Sequence, residues 1–251
     1  SLLGRESQVV IADYYHIFQP SVRQYFLGRL RKEMKNSVLI IDEGHNLPSR
    51  VREILSEKLT SFIVERAAKE AKYYQFYELV AALSNLAGAF DNLAKTFLSE
   101  NRENYVKKED FVKELESVTG LKYDDFASSL ESAAVEIRKT AKKSFVGSVA
   151  EFLEKWPGSD VGFSRIIQKR AGKSGKGFVE ISYNCLSPAI SAGEVINESV
   201  SMILMSGTLV PGEMYRDLLG FPAERTDLKT YPSPFPPQNR LVLIEPTTTT
   251  K

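Results

Sequence analysis

The sequence predicts an α/β fold in which a parallel-sheet unit is interrupted by an all-helical block. Short apolar, β-branched runs stand on either side of that block, at 37–42 and 201–205, and each ends in polar residues. Between them, residues 60–157 carry apolar side chains at alternating spacings of three and four, and no proline falls between Pro48 and Pro157. Strand signals return after WPGSD (156–160).

Taken in order, QVVIA (8–12) reads as a short strand and VRQYFLGRLRKEM (22–34) as a helix. SVLIID (37–42) reads as a buried-type strand that ends in acids. Strand, helix and strand with short connections favour a parallel sheet covered by helices. In the central block, Leu79, Leu83, Leu86, Phe90, Leu93 and Phe97 form one helical stripe. Phe126, Leu130, Ala133 and Ile137 form a second, and Phe145, Val149, Phe152 and Trp156 a third. SENRENYVKKED (99–110) is a polar break, and a helical bundle packing on itself accounts for most of these apolar residues. FVEISY (178–183) reads as a strand, 187–198 as a helix, and SMILM (201–205) as a second buried strand. PSPFPPQ (232–238) has the proline density of a linker, and LVLIE (241–245) after it is strand-like. The expected units are 1–59 and 158–231 as two parts of one α/β domain, 60–157 as the insertion, and 232–251 as a linker leading into a further strand.

The bulk numbers narrow the function. A chain of 251 residues with 43% hydrophobic and 26% charged residues is an ordinary globular composition. A net charge of +1 gives no global basic field, so any nucleic-acid surface must be local. Cys185, the one cysteine, excludes an internal disulfide and cannot alone hold zinc or an iron–sulfur cluster. No apolar run approaches the roughly 20 residues of a membrane span, and no signal peptide is recognisable, so an intracellular compartment is expected. The opening at Ser1 and the ending EPTTTTK both read as cuts through a longer sequence.

SVLIIDEGHNLP (37–48) carries the chemistry. Ligands of open α/β sheets bind beyond the carboxyl ends of the strands, and Asp42 and Glu43 stand there. An aspartate in that place suits a Mg²⁺ bridging two phosphates, and a glutamate beside it suits the activation of water. His45 could relay nucleotide state to a neighbouring loop. A solvated acidic turn capped by Asn46 is the bland alternative, but four apolar residues followed by D-E-x-H is a much narrower pattern. AGKSGKG (171–177) resembles the tail of a phosphate loop, yet the required first glycine is Ile167 and no strand is expected to feed it. It reads as a flexible basic surface loop. SMILMSGTLVP (201–211) sets Ser206, Gly207 and Thr208 at a strand end equivalent to that of Asp42.

IIDEGHN, the helical insertion, and YNCLSPAI…SVSMILMSGTLVPGEMYRDLLGF together resemble the XPD family of superfamily 2 DNA helicases. This is the DEAH-type, iron–sulfur, 5′→3′ branch, with archaeal members. The resemblance implies a RecA-like motor domain, here incomplete, with residues 60–157 as the family's Arch domain and SPFPPQNRLVLIEP as the entry to a second motor domain. It implies ATP and Mg²⁺ as cofactors, with Asp42 holding the metal through water and Glu43 as general base. His45, Ser206, Gly207 and Thr208 would couple hydrolysis to DNA movement. Gly44 stands where the family box has alanine. The 4Fe–4S cluster's cysteines, the nucleotide loop and the arginine fingers would lie outside this chain, which alone is expected to be inactive. DNA repair by nucleotide excision is the implied role, with single-stranded DNA as partner. A cytoplasmic location follows, or a nuclear one in a eukaryote, with a monomeric state and no membrane.

Arg5, Tyr14 and Tyr15 fall near where the family's iron–sulfur domain rejoins the motor, and such aromatics suit base stacking; burial of both tyrosines is equally compatible. Arg165, Lys169, Arg170, Lys173 and Lys176 form a basic run with no acid, which suits phosphate contacts. Arg23, Arg29, Arg31, Lys32 and Lys35 read as a solvated helix face. Residues 60–157 hold 14 Lys+Arg and 16 Asp+Glu, a net of −2, and suit a gate or a platform for protein partners better than a DNA surface. Two further readings stay open: a related iron–sulfur helicase of the same branch, and a non-catalytic docking module that uses the helical insertion.

Overall fold

A computed structural model describes residues 2–98, 102–172, 177–239 and 241–247, without the side chains of residues 2 and 237. In chain order, α1 (Leu2–Glu6), α2 (Tyr15–Phe18) and α3 (Pro20–Leu30) precede β1 (Val38–Ile41), α4 (Leu47–Leu55) and β2 (Glu57–Thr60). Then come α5 (Ser61–Tyr73), α6 (Tyr77–Phe97), β3 (Glu103–Tyr105), α7 (Lys108–Thr119), α8 (Tyr123–Arg138) and α9 (Phe145–Lys155). β4 (Phe163–Ala171) and β5 (Gly177–Cys185) follow, then α10 (Ala189–Glu198), β6 (Ser201–Leu204) and α11 (Gly212–Leu219).

The strands sort into two sheets. β1 and β6 pair in parallel, from Val38 opposite Ser201 to Ile41 opposite Leu204. Their inward faces, Leu39, Ile41, Met202 and Leu204, meet a core of Phe18, Met34, Leu47, Val51, Ala192, Val195, Ile196 and Leu219. Burial of both strands throughout is the expectation, but only one face of each is covered, with Ile41 buried and Leu39, Met202 and Leu204 partly so. Val38, Ile40, Ile203 and Met205 are exposed, because a pleat sends alternate side chains to opposite faces and the helices cover one side only. QVVIA forms no strand among the described residues: Val9 and Ile11 lie open to solvent. Leu241, Val242, Leu243 and Ile244 of LVLIE are likewise exposed and unpaired. β-branched residues favour a strand only when a neighbour completes its hydrogen bonds and packs its side chains.

The second sheet is antiparallel, in the order β2-β5-β4-β3. It shares one core with the helical block: Leu59, Ile167, Val179, Ile181 and Tyr183 pack among the buried residues of α5 to α9. That core therefore reaches well beyond 157, and FVEISY belongs with the helices rather than with the parallel pair. The block is also not wholly helical. Within the polar break, Glu103, Asn104 and Tyr105 pair with Gln168, Ile167 and Ile166. All three β3 side chains are exposed, so no apolar alternation marks them as a strand.

The stripes bury as their spacing requires. Leu79, Leu83, Leu86, Phe90 and Leu93 of α6, and Phe126, Leu130, Ala133 and Ile137 of α8, are all buried. In the third stripe Val149, Phe152 and Trp156 are buried, while Phe145 at the helix start is partly exposed beneath the Arg66 guanidinium. At the centre Phe111 meets Phe90, Phe152 and Trp156 edge-to-face, with ring centroids 6.4, 5.9 and 5.0 Å apart.

Candidate active site

β1 delivers its acids into a tight turn. Glu43 has φ 48° and ψ 41°, a left-handed backbone that costs an L residue about 1–2 kcal/mol. Several hydrogen bonds hold it there. The Glu43 N–H donates to Asp42 Oδ1 at 2.9 Å, and the Gly44 N–H donates to the Met205 carbonyl at 2.9 Å. From the N-cap of α2, the Tyr14 hydroxyl donates to the Asp42 carbonyl and also lies 3.3 Å from the Glu43 carbonyl. Burial raises the Tyr14 pKa, and the Asp42 and Glu43 carboxylates raise it further, so the hydroxyl stays a donor.

Gly44 is required by space. A methyl group there would sit 2.4 Å from Leu204 Cδ1, because β6 passes directly beneath the turn. The same close approach brings the two motifs into contact. His45 Nδ1 lies 2.7 Å from Ser206 Oγ and 3.3 Å from Glu43 Oε2. Ser206 Oγ is in turn 3.4 Å from Thr208 Oγ1 and accepts the Thr208 N–H at 3.2 Å. Gly207 borders open space, so its lack of a side chain is not forced by crowding. The structure thus assembles Asp42, Glu43, His45, Ser206 and Thr208 into one cluster, with the touching pair His45 and Ser206 lying 161 positions apart in sequence. Asp42 is exposed, and the Glu43 side chain is 64% exposed and faces solvent.

The residues suit magnesium better than a protein-only metal cage. Among the described residues no three His, Cys, Asp or Glu side chains converge on one point. Mg²⁺ is usually held by one or two carboxylates together with phosphates and water, and Asp42 offers such a ligand. An iron–sulfur cluster finds no fit in this chain. Cys185 is buried, its Sγ is 3.3 Å from the Ser187 carbonyl, and burial raises its pKa.

The DNA candidates are scattered. Arg165 is not a surface cation: it is 6% exposed, and its guanidinium donates to the carbonyls of Trp156 and Gly158. It also pairs with Asp160 and lies over the Trp156 and Tyr183 rings. Arg165 and Lys169 share one face of β4, but Arg165 lies over the core with Ile167, whereas Lys169 stands near the strand's exposed end. The run itself holds no acid, but the fold brings one to it: Arg170 pairs with the buried Glu180 of β5 at 3.0 Å. Lys173 and Lys176 lie outside the described residues. A strand does feed AGKSGKG, but the chain leaves it as β5, making a hairpin where a phosphate loop needs a helix. Arg5 donates to the Arg29 carbonyl at 3.0 Å. Tyr15 is half exposed and lines a groove of about 1000 Å³ between α2, α4, β2 and α9, where Asp13, Glu53, Glu57, Glu151 and Glu154 outnumber Arg50 and Lys155. Arg23, expected on a solvated face, is buried against Glu194 and Glu198 of α10 at 3.1 and 3.8 Å.

Sequence reading missed the hydroxyl role of Tyr14. A tyrosine 28 residues before an acidic turn carries no pattern that spacing alone could flag.

A parallel strand pair with acids and hydroxyls at its carboxyl ends belongs to a mixed α/β protein, and those ends are where open α/β sheets place their ligands. Residues 3–64, which include Asp42, Glu43 and His45, match the DEAD_2 family model. Those residues are thus similar to the DEAD_2 domain of the XPD/Rad3-type helicases. It is 25% identical over 260 aligned positions to the ATP-dependent DNA helicase CHL1 of Candida albicans, a match covering 88% of this chain and 30% of that protein. The chain thus spans about 30% of the length of the curated relative it matches. No helix among the described residues is long and apolar enough to cross a membrane.

Proposed function

We propose that this chain forms part of the first motor domain of an ATP-dependent DNA helicase, with residues 60–157 as its Arch-type insertion. The observation that carries the reading is the 2.7 Å contact between His45 and Ser206, beside an acidic turn held at the end of β1. It joins the two motifs that a motor needs to link, and it lies in a chain whose residues 3–64 match the DEAD_2 family model. The open edges and exposed apolar face of the β1–β6 pair support further strands supplied by the rest of a longer protein.

Bound with ATP, magnesium would neutralise charge on the phosphates. Asp42 would hold it at the strand end. Glu43, exposed and aimed by the turn, would take the proton of the attacking water. His45 touches both Glu43 and Ser206, so a shift of Glu43 on phosphate release is felt at Ser206 and Thr208 on the other strand. Single-stranded DNA is the partner, with Lys169 and Arg5 among the exposed cations that could meet its phosphates. The remaining features of the reading are 5′→3′ movement, a role in nucleotide excision repair, a 4Fe–4S cluster outside this chain and an archaeal-type relationship. A monomer in the cytoplasm or nucleus completes it. The chain alone, without a nucleotide loop among its described residues, is expected to be inactive.

The test is coupling in the longer protein. Ser206→Ala combined with Thr208→Ala is expected to retain DNA-stimulated ATP hydrolysis and lose strand separation. Equal loss of both activities, or of neither, contradicts the reading.

A further inference from the structure

Tyr14, the N-cap of α2, reaches the acidic turn from outside the two motifs. Its hydroxyl donates to the Asp42 carbonyl and lies 3.3 Å from that of Glu43, the two carbonyls flanking the left-handed residue. We propose that Tyr14 is a positioning residue for ATP hydrolysis, clamping the turn so that the Glu43 carboxylate stays aimed at the water; this rests on the hydrolytic reading above.

The clamp is separable from the packing of α2. Phe18 is fully buried and its carbonyl accepts the Ser191 hydroxyl at 2.6 Å. Arg23 donates to the Ile17 carbonyl at 3.3 Å, and Asp13 Oδ1 accepts the Tyr15 N–H at 2.9 Å. None of these contacts involves the Tyr14 hydroxyl, so α2 remains anchored without it. The acidic turn does not share that security. Its other bonds run from the Glu43 N–H to Asp42 Oδ1, from the Gly44 N–H to Met205 and from the Asn46 N–H to the Glu43 carbonyl at 2.9 Å; none of these holds the Asp42 carbonyl, and Glu43 adopts a backbone that its side chain disfavours. Without the hydroxyl the Asp42–Glu43 peptide can rotate towards a right-handed backbone and swing the carboxylate away. Asp42 itself extends directly from the strand, so metal–nucleotide affinity should be little changed.

Tyr14→Phe in the longer protein keeps the ring and removes the hydroxyl. The expected result is a fall in kcat of about fivefold, which is about 1 kcal/mol at 1.36 kcal/mol per tenfold. KM for ATP should stay within about twofold, since ground-state binding is untouched. Placing 4-aminophenylalanine at position 14 returns a donor to the same place and should recover the rate. In the isolated chain, hydrogen exchange at the Glu43 and Gly44 amides should quicken in Tyr14→Phe while α2 amides keep their protection. Wild-type kcat in Tyr14→Phe, or a rise in KM with kcat unchanged, overturns the positioning role, as does failure of the amine to restore turnover. Glu43→Gln measured alongside separates two failures. If it loses turnover while Tyr14→Phe does not, this inference alone falls; if it retains turnover, the hydrolytic reading falls and the inference with it.

Discussion

Replacing Arg165 with alanine should damage the fold of the helical unit and leave DNA affinity to other residues. The guanidinium makes three hydrogen bonds to two carbonyls, Trp156 through Nε at 3.0 Å and Nη2 at 2.7 Å, and Gly158 at 2.7 Å. It sits 4.6 Å from the centre of the Tyr183 ring and 5.3 Å from that of Trp156. Leaving a buried carbonyl unpaired costs about 1–3 kcal/mol, and a desolvated cation–π contact contributes up to about 2 kcal/mol. The exposed side of the Asp160 pair adds little. The total is on the order of 3–5 kcal/mol, a large share of the roughly 5–15 kcal/mol that holds a domain together. For a chain of this size that corresponds to a melting point lower by about 10 °C. Far-UV circular dichroism during heating reads the stability, and fluorescence anisotropy with a single-stranded oligonucleotide reads the affinity. Lys169→Ala, an exposed change on the same strand, should melt within about 0.5 kcal/mol of the parent. An Arg165→Ala protein that melts like the parent, yet loses as much DNA affinity as Lys169→Ala, would refute this account.

Two further outcomes follow from the same packing. Gly44→Ala forces Leu204 to move, since the added methyl would lie 2.4 Å from its Cδ1 and 2.5 Å from its Cγ. A loss of about 1–3 kcal/mol is expected in chemical denaturation, partly restored by Leu204→Ala in the same chain, and a neutral single variant contradicts it. Glu151 has a raised pKa, chiefly from burial and against the pull of Arg138. The folded state therefore holds that proton more tightly than the unfolded one. The stability from this group is full below the ordinary carboxylate pKa and is lost as pH rises through that value to the raised one. Glu151→Gln should flatten the pH slope over that acidic window in urea unfolding, and an unchanged slope would count against the assignment.

How much could be read beforehand depended on whether the signal was local. The stripes of α6 and α8 were legible because a helix displays its burial at fixed spacing, as Leu79 to Leu93 and Phe126 to Ile137 show. The strands holding the two motifs were legible from their apolar runs, and their register made His45 and Ser206 meet. Strand pairing was not legible. QVVIA and FVEISY look alike as strings, but only FVEISY finds partners, on both sides, in β2 and β4. β3 went unseen because its side chains are all exposed and only its backbone is bonded. Arg165 was misjudged because a buried arginine and a surface one carry the same letter; what separates them is a pair of carbonyls presented by the turn after α9.

The division of labour between Asp42 and Glu43 is the centre of the account, and Mg–ATP affinity measured beside turnover in the longer protein tests it most directly. Glu43→Gln should bind Mg–ATP as the parent does while turnover falls by at least about a hundredfold, because the amide keeps the shape but cannot accept a proton. Asp42→Asn should instead weaken Mg–ATP binding. Equal losses of affinity in the two variants, or parental turnover in Glu43→Gln, would contradict it.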